Sequence, residues 1–215
     1  MSPPSPKAVR YVAIEGPIGV GKTSLARELA RVMGARLVLE EVDNPFLARF
    51  YRDPERYAFP TQLYFLLTRC TQQRELAQQE LFAQRTVADY LLAKDRIFAA
   101  LNLAPDQLAL YEQVYRLMQT AVTKPDLVVF LNARVEVLVR RLRQRNRDFE
   151  RWVSVEYLEQ VAAAYRDFFF YYEETPLLVV DSSQIDFLSD PEALAKLLQE
   201  IEHAGPGIQH YVPRS

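Results

Sequence analysis

At 215 residues the chain is long enough for one substantial hydrophobic core and short for two, and 49% hydrophobic with 25% charged residues is ordinary for a folded cytosolic domain. A formal net charge of −2 supplies no overall positive field for nucleic acid, and no run approaches the ~18 apolar residues needed to span a bilayer. No nucleic-acid or membrane partner is therefore expected, and a cytoplasmic location is; one cysteine, Cys70, and two peripheral histidines, His203 and His210, exclude an intrachain disulfide and a multi-ligand zinc site.

MSPPSPK, at the start, lacks the apolar stretch of a signal peptide and reads as a flexible leader over residues 1–8. Tyr11–Glu15 is a short apolar run rich in β-formers, followed by a glycine-bearing loop and a helical pattern from Lys22 to Met33 closed by Gly34. Leu37–Leu39 is a second apolar run, and Asn44-Pro45 has the form of a helix start. A glycine-free stretch from Phe59 to Leu81 predicts a long helix, with Pro60 placed in its first turn. Thr86–Asp89 reads as a strand end leading into helix, Asp106–Thr120 as helix, and Leu127–Leu131 as a buried strand. Helices are predicted over Glu136–Gln144, Ser154–Tyr172 and Pro191–Ile201, with the strand Leu177–Val180 between the last two.

Short apolar strands alternating with helices predict an α/β fold with a five-stranded, mostly parallel sheet covered on both faces. The domain is expected to occupy residues 9–205, with residues 206–215 as a tail beyond it.

GPIGVGKT, Gly16–Thr23, fits G-x-x-x-x-G-K-[ST] at every fixed position and lies between a predicted strand and a predicted helix. Glycine at 16, 19 and 21 lets the backbone N–H groups of Gly16, Pro17, Ile18, Gly19, Val20 and Gly21 wrap a phosphate chain, proline excepted, while the helix N-terminus adds partial positive charge. Lys22 can then reach the β- and γ-phosphates and the Thr23 hydroxyl can hold Mg²⁺. The expected architecture is a P-loop NTPase-type three-layer fold using ATP and Mg²⁺. GTPases, ATPases and nucleotide kinases all use such a loop, so other residues must choose among them.

Open parallel sheets bind ligands at the C-terminal ends of their strands, and two such ends are acidic here: Glu40/Glu41, and Asp89. A carboxylate facing the γ-phosphate either takes a proton from an attacking hydroxyl or helps position the metal. Farther on, RRLRQRNRDFE over Arg140–Glu150 presents guanidinium forks suited to phosphate oxygens, and beside a P-loop it reads as a lid over about residues 141–151.

Together these motifs resemble the deoxynucleoside kinase family, especially bacterial deoxyguanosine/deoxyadenosine kinases and the related deoxycytidine kinases, from Tyr11 to about Phe187. The resemblance implies transfer of the ATP γ-phosphate to the 5′-hydroxyl of a deoxynucleoside, with purine deoxynucleosides or deoxycytidine favoured, in nucleotide salvage by a homodimer. In EEVDNPF it implies a general base at Glu40 or Glu41, Glu40 being preferred. YRDPERY implies that Tyr51 binds the sugar 3′-hydroxyl, and TQLYFLLTR that Gln62 pairs with the nucleobase while Arg69 works with Asp95 at the base edge. Arg141, Arg145 and Arg147 would clamp phosphates, Glu150 would close over the 3′-hydroxyl, and Asp186 and Phe187 in QIDF would contact adenine. Asp89 would serve the metal with Thr23.

Two departures stand out. Asp89-Tyr90-Leu91 stands where many relatives carry Glu-Arg-Ser, so the adjacent arginine is missing and a lid arginine is the expected compensation, and Asn146 replaces the lid's usual glycine. A thymidylate-kinase type of nucleoside monophosphate kinase is the alternative reading, and a regulatory P-loop module a more distant one. The aromatic run Phe168–Tyr172 and the Cys70 thiol are read as packing.

Overall fold

A computed structural model of the protein describes residues 9–79, 85–118, 123–147, 150 and 152–213. Its strands are β1 Tyr11–Glu15, β2 Arg36–Val38, β3 Thr86–Ala88, β4 Leu127–Asn132, β5 Leu177–Asp181 and β6 Ile208–Tyr211. Its helices are α1 Lys22–Met33, α2 Leu47–Phe50, α3 Pro54–Gln79, α4 Lys94–Asn102, α5 Pro105–Met118, α6 Val135–Arg145, α7 Val155–Phe170 and α8 Pro191–Glu202.

All strand pairings are parallel, in the order β2-β3-β1-β4-β5-β6. The sheet therefore has six strands where the sequence predicted five. Residues read as a tail supply the sixth: Ile208–Tyr211 pairs with Leu177–Val180. This edge strand alternates exposed and half-buried residues, so it lacks the apolar run that marks the inner strands.

The central strands β1 and β4 are apolar up to their last residues, Glu15 and Asn132, because helices cover both faces. Val12, Ile14, Val129 and Leu131 face a core shared with Leu25 and Leu29 of α1, Leu138 of α6 and Leu197 of α8. Ala13, Val128 and Phe130 face the opposite core with Ile97 of α4 and Tyr165 and Phe169 of α7. A third cluster joins Phe50 of α2, Leu66 and Cys70 of α3, and Tyr111 of α5. None of the described helices is long and apolar enough to cross a membrane.

Two helix starts differ from expectation. The long helix begins at Asp53-Pro54, with proline at its first position and the Asp53 carboxylate accepting from Arg56 N at 3.3 Å, so Pro60 lies inside the helix. Asn44 caps a turn instead of opening a helix at Pro45: its Oδ1 accepts from Phe46 N at 2.9 Å, and α2 starts at Leu47. The expected leader, Leu81 and Thr120 lie outside the described residues.

The aromatic run divides as helical geometry requires. Phe169 and Tyr172 are buried, whereas Phe170 and Tyr171 are exposed.

Candidate active site

β1 ends at the centre of the sheet, between β3 and β4, where the chain's crossovers change direction; ligands bind at such switch points. Gly16, the first residue after β1, has φ 152°, and a Cβ there would sit 2.4 Å from the Leu131 carbonyl oxygen of β4. Only glycine fits between the two backbones. Gly21, at φ 104°, forms the N-terminal boundary of α1, whose first turn carries no acid to compete with a phosphate.

Lys22 Nζ donates to the carbonyl oxygens of Gly16 at 2.7 Å and Pro17 at 3.3 Å. Burial lowers its ammonium to about 8, with Glu15 pulling upward and Lys94 adding to the lowering. Glu15 is fully buried, accepting from Gly16 N, Leu91 N and the Tyr165 hydroxyl. One carboxylate thereby ties the start of the phosphate loop to the loop after β3 and to α7.

The loop after β3 brings Asp89 to Thr23. Asp89 Oδ2 accepts from Thr23 Oγ1 at 2.5 Å, and its Oδ1 accepts from Glu40 N at 2.5 Å. Hydroxyl and carboxylate oxygens are the hard donors that Mg²⁺ takes, usually as one or two protein oxygens completed by water and phosphate. Thr23 and Asp89 therefore fit Mg²⁺, although the described residues hold no cluster of three or more ligating side chains.

Glu40 follows β2 and is gripped at both carboxylate oxygens. Arg69 of α3 donates to Oε1, and Lys94 Nζ, from the first residue of α4, donates to Oε2 at 2.6 Å. Burial acts to raise the Glu40 carboxyl, but these two cations outweigh it and hold the group well below the usual carboxylate range. Arg69 also pairs with the buried Asp95 and lies over the Phe65 ring. Glu41 is exposed.

These groups line a cavity of about 310 Å³ that opens on Lys22 and Thr23 and contains Glu40, Tyr51, Gln62, Arg69, Asp89, Lys94 and Glu150. Burial, with neighbouring Tyr157 and Glu150, pushes the Tyr51 phenol well above its ordinary value, which leaves a neutral hydroxyl. Glu150 is itself buried and paired with Arg145. Asp95 stands behind Arg69 and is not in the cavity wall.

A second cavity, about 450 Å³, runs from Gly19 and Lys22 to Ser182, Asp186 and Phe187 and shares Arg145 and Arg147 with the first. Asp186 makes a tight turn, accepting from Leu188 N at 3.0 Å, and the Phe187 side chain is buried in the core. Arg141 lines this second cavity beside the phosphate loop. Its guanidinium donates to the carbonyl oxygens of Val20, Ser182 and Ile185 at 2.8–3.1 Å and to Ser182 Oγ at 3.3 Å, lashing α6 to the phosphate loop and to the turn before Asp186. Arg147 is exposed. Asn146 ends α6 at φ 49°, in the left-handed region that glycine would otherwise occupy and asparagine tolerates.

Lys94 and Glu15 escaped the sequence reading. Lys94 lies five residues after Asp89 at the start of a helix that had not been delimited, and a lysine at a helix start reads as surface until its partner across the chain is known.

A phosphate loop, a metal-suited Thr–Asp pair and an acid-walled pocket meeting at one sheet end define a P-loop phosphotransferase site. Residues 12–204 match the family model for deoxynucleoside kinase, and the chain belongs to that family. It is 34% identical over 200 residues to deoxyguanosine kinase of Bacillus subtilis (strain 168), covering 89% of this chain and 97% of that one. It is likewise 34% identical over 196 residues to deoxyadenosine kinase of Dictyostelium discoideum, covering 88% and 78%. The fold superposes on deoxyadenosine kinase from M. mycoides with bound dATP at a TM-score of 0.77 and 25% identity, covering 88% of this chain and 99% of that one.

Proposed function

We propose that the protein transfers the γ-phosphate of ATP to the 5′-hydroxyl of a deoxynucleoside, purine deoxynucleosides or deoxycytidine being favoured, as a cytoplasmic enzyme of nucleotide salvage. The observation that carries this reading is an ionised Glu40 in the wall of a pocket that opens directly on Lys22 and Thr23. A carboxylate there accepts the proton of a neutral alcohol. Gln62 offers an amide donor and acceptor to a base edge, Arg69 adds a fixed fork backed by Asp95, and Tyr51 and Glu150 suit a sugar hydroxyl. Relatives named for deoxyguanosine and deoxyadenosine support a purine preference.

In the reaction, Lys22 and the backbone of the Gly16–Thr23 loop bind the ATP phosphates, and Glu40 takes the acceptor proton late in a loose transfer. Arg145 and Arg147, shared by both cavities, balance charge on the moving phosphoryl group. Mg²⁺ held by Thr23 and Asp89 would neutralise phosphate charge. Arg141 holds the donor-side turn against the phosphate loop. A homodimer is also proposed, in keeping with the exposed Leu67 of α3 and Leu110 and Leu117 of α5.

Incubating the protein with ATP and a panel of deoxynucleosides, followed by chromatography of the products, tests the function. Deoxynucleoside monophosphate is expected. Conversion of monophosphates to diphosphates with no action on nucleosides would instead assign the chain to the monophosphate-kinase type.

A further inference from the structure

Tyr90, next to Asp89, is fully buried, does not line the cavity, and accepts at its hydroxyl from Gln73 at 3.1 Å. The lid arginine Arg141 is occupied by backbone carbonyls. Lys94 has the unusual placement. Its side chain is 4% exposed, and it opens α4, the end of a helix where the backbone dipole disfavours a cation. Burial of an ammonium at a positive helix end costs stability unless a carboxylate offsets it. Glu40 does so, and among the described residues it is the one carboxylate paired with Lys94.

The two cations on Glu40 differ in freedom. Arg69 is fixed by Asp95 and by the Phe65 ring as well as by Glu40. Lys94 is a point charge on a four-carbon stem, lining the same cavity as Lys22 and Thr23. Its loop is anchored by Leu91 N donating to Glu15 at 2.8 Å, so the stem, not the backbone, carries the available motion.

We propose that Lys94 is the positioning cation of the transfer: it aims the Glu40 carboxylate at the acceptor hydroxyl, then follows the negative charge to the phosphoryl group. This rests on the deoxynucleoside reading above. As the acceptor oxygen–phosphorus bond forms and the bond between phosphorus and the ADP oxygen breaks, the hydroxyl proton passes to Glu40. Glu40 becomes neutral, the negative charge it held is now carried by phosphate oxygens, and Lys94 remains protonated throughout. A cation that only served to hold Glu40 would oppose its protonation; one able to leave Glu40 does not.

Turnover and deoxynucleoside binding of the full chain are measured for wild type, Lys94→Ala, Lys94→Met and Lys94→Arg, with and without added methylammonium. Lys94→Ala and Lys94→Met are expected to lose about 10²–10³-fold in kcat, the scale for one lost electrostatic donor, with nucleoside affinity little changed. Lys94→Arg should regain most of the loss, and methylammonium should accelerate Lys94→Ala but not the wild type. Near wild-type kcat in the Ala and Met variants overturns the proposal. So does a loss that neither arginine nor the amine relieves, which would mark Lys94 as packing alone; Lys94→Met, close in volume, guards against a folding defect in the Ala variant. A wild type that phosphorylates no deoxynucleoside overturns the acceptor reading and this role with it, whereas an active wild type with indifferent variants removes only the role of Lys94.

Discussion

Thr23 and Asp89 stand 66 positions apart in sequence and 2.5 Å apart in space, hydroxyl to carboxylate. This contact joins the first turn of α1 to the end of β3 and sets the two metal-suited oxygens side by side. Asp89→Asn leaves one neutral acceptor oxygen for the two donors, Thr23 Oγ1 and Glu40 N, and removes the negative charge, so it should raise the Mg²⁺ needed for half-maximal turnover by about 10–100-fold. A Mg²⁺ titration of initial rates reads this directly, and an unchanged midpoint would remove Asp89 from the metal site.

Glu40→Gln removes the proton acceptor while preserving shape. Its kcat should fall by about 10²–10⁴-fold, the scale of a lost general base. Glu41→Gln, at an exposed position, should turn over near the wild-type rate. The opposite pattern would shift the base by one residue.

Lys22 supplies a pH prediction. Its ammonium is lowered to about 8 in the folded protein, against 10.5 ordinarily, first because of burial. ATP needs the charged form, so kcat/KM for ATP should decline as pH rises through about 8, while ATP binding above that pH takes up a proton. Stability of the ligand-free protein runs the other way. Between about 8 and 10.5 the unfolded chain binds more protons at this lysine than the folded one, so this residue's destabilising contribution fades as pH rises. Rate profiles and melting curves of wild type and Lys22→Met across and just below the window from about 8 to 10.5 separate the two effects.

Gly16 and Gly34 both have positive φ, but their surroundings differ. Nothing lies within 4 Å of a Cβ built at Gly34, so Gly34→Ala should cost about 1–2 kcal/mol for the left-handed backbone alone. At Gly16 the added carbon would overlap the Leu131 carbonyl, and Gly16→Ala should cost about 2–4 kcal/mol and abolish ATP binding. Chemical denaturation with and without ATP distinguishes them.

Arg141 and Arg147 should fail differently. Arg141→Ala frees three carbonyl oxygens and should lose about 1–2 kcal/mol of stability, discounted for partial exposure, along with ATP affinity. Arg147→Ala, at an exposed position, should leave the melting temperature alone and lower kcat. Equal melting temperatures with equal losses of kcat would return Arg141 to the phosphate clamp.

Much of the architecture was readable because the signals were local. Tyr11–Glu15, Leu127–Leu131 and Leu177–Val180 are apolar runs, and Gly21 and Gly34 bracket α1 in the sequence as they do in space. β6 was missed since an edge strand is half solvated and its composition resembles a tail. Pro60 misled because proline near a helix start is read as its first turn, while Asp53-Pro54 offered the same signal earlier.

The site divides along the same line. Gly16–Thr23 carries its chemistry in consecutive residues, so order and spacing alone determined a phosphate-binding loop; the family rested on a resemblance carried by that loop, YRDPERY and the arginine-rich segment, and the match over residues 12–204 bears it out. Only the tertiary structure decided that Lys94 shares Glu40 with Arg69, that Glu15 braces two loops, and that Arg141 is spent on carbonyl oxygens. Backbone loops encode themselves through short-range sterics. The state and aim of a buried charge depend on which opposite charges the fold delivers within a few ångströms, and those arrive from distant parts of the chain.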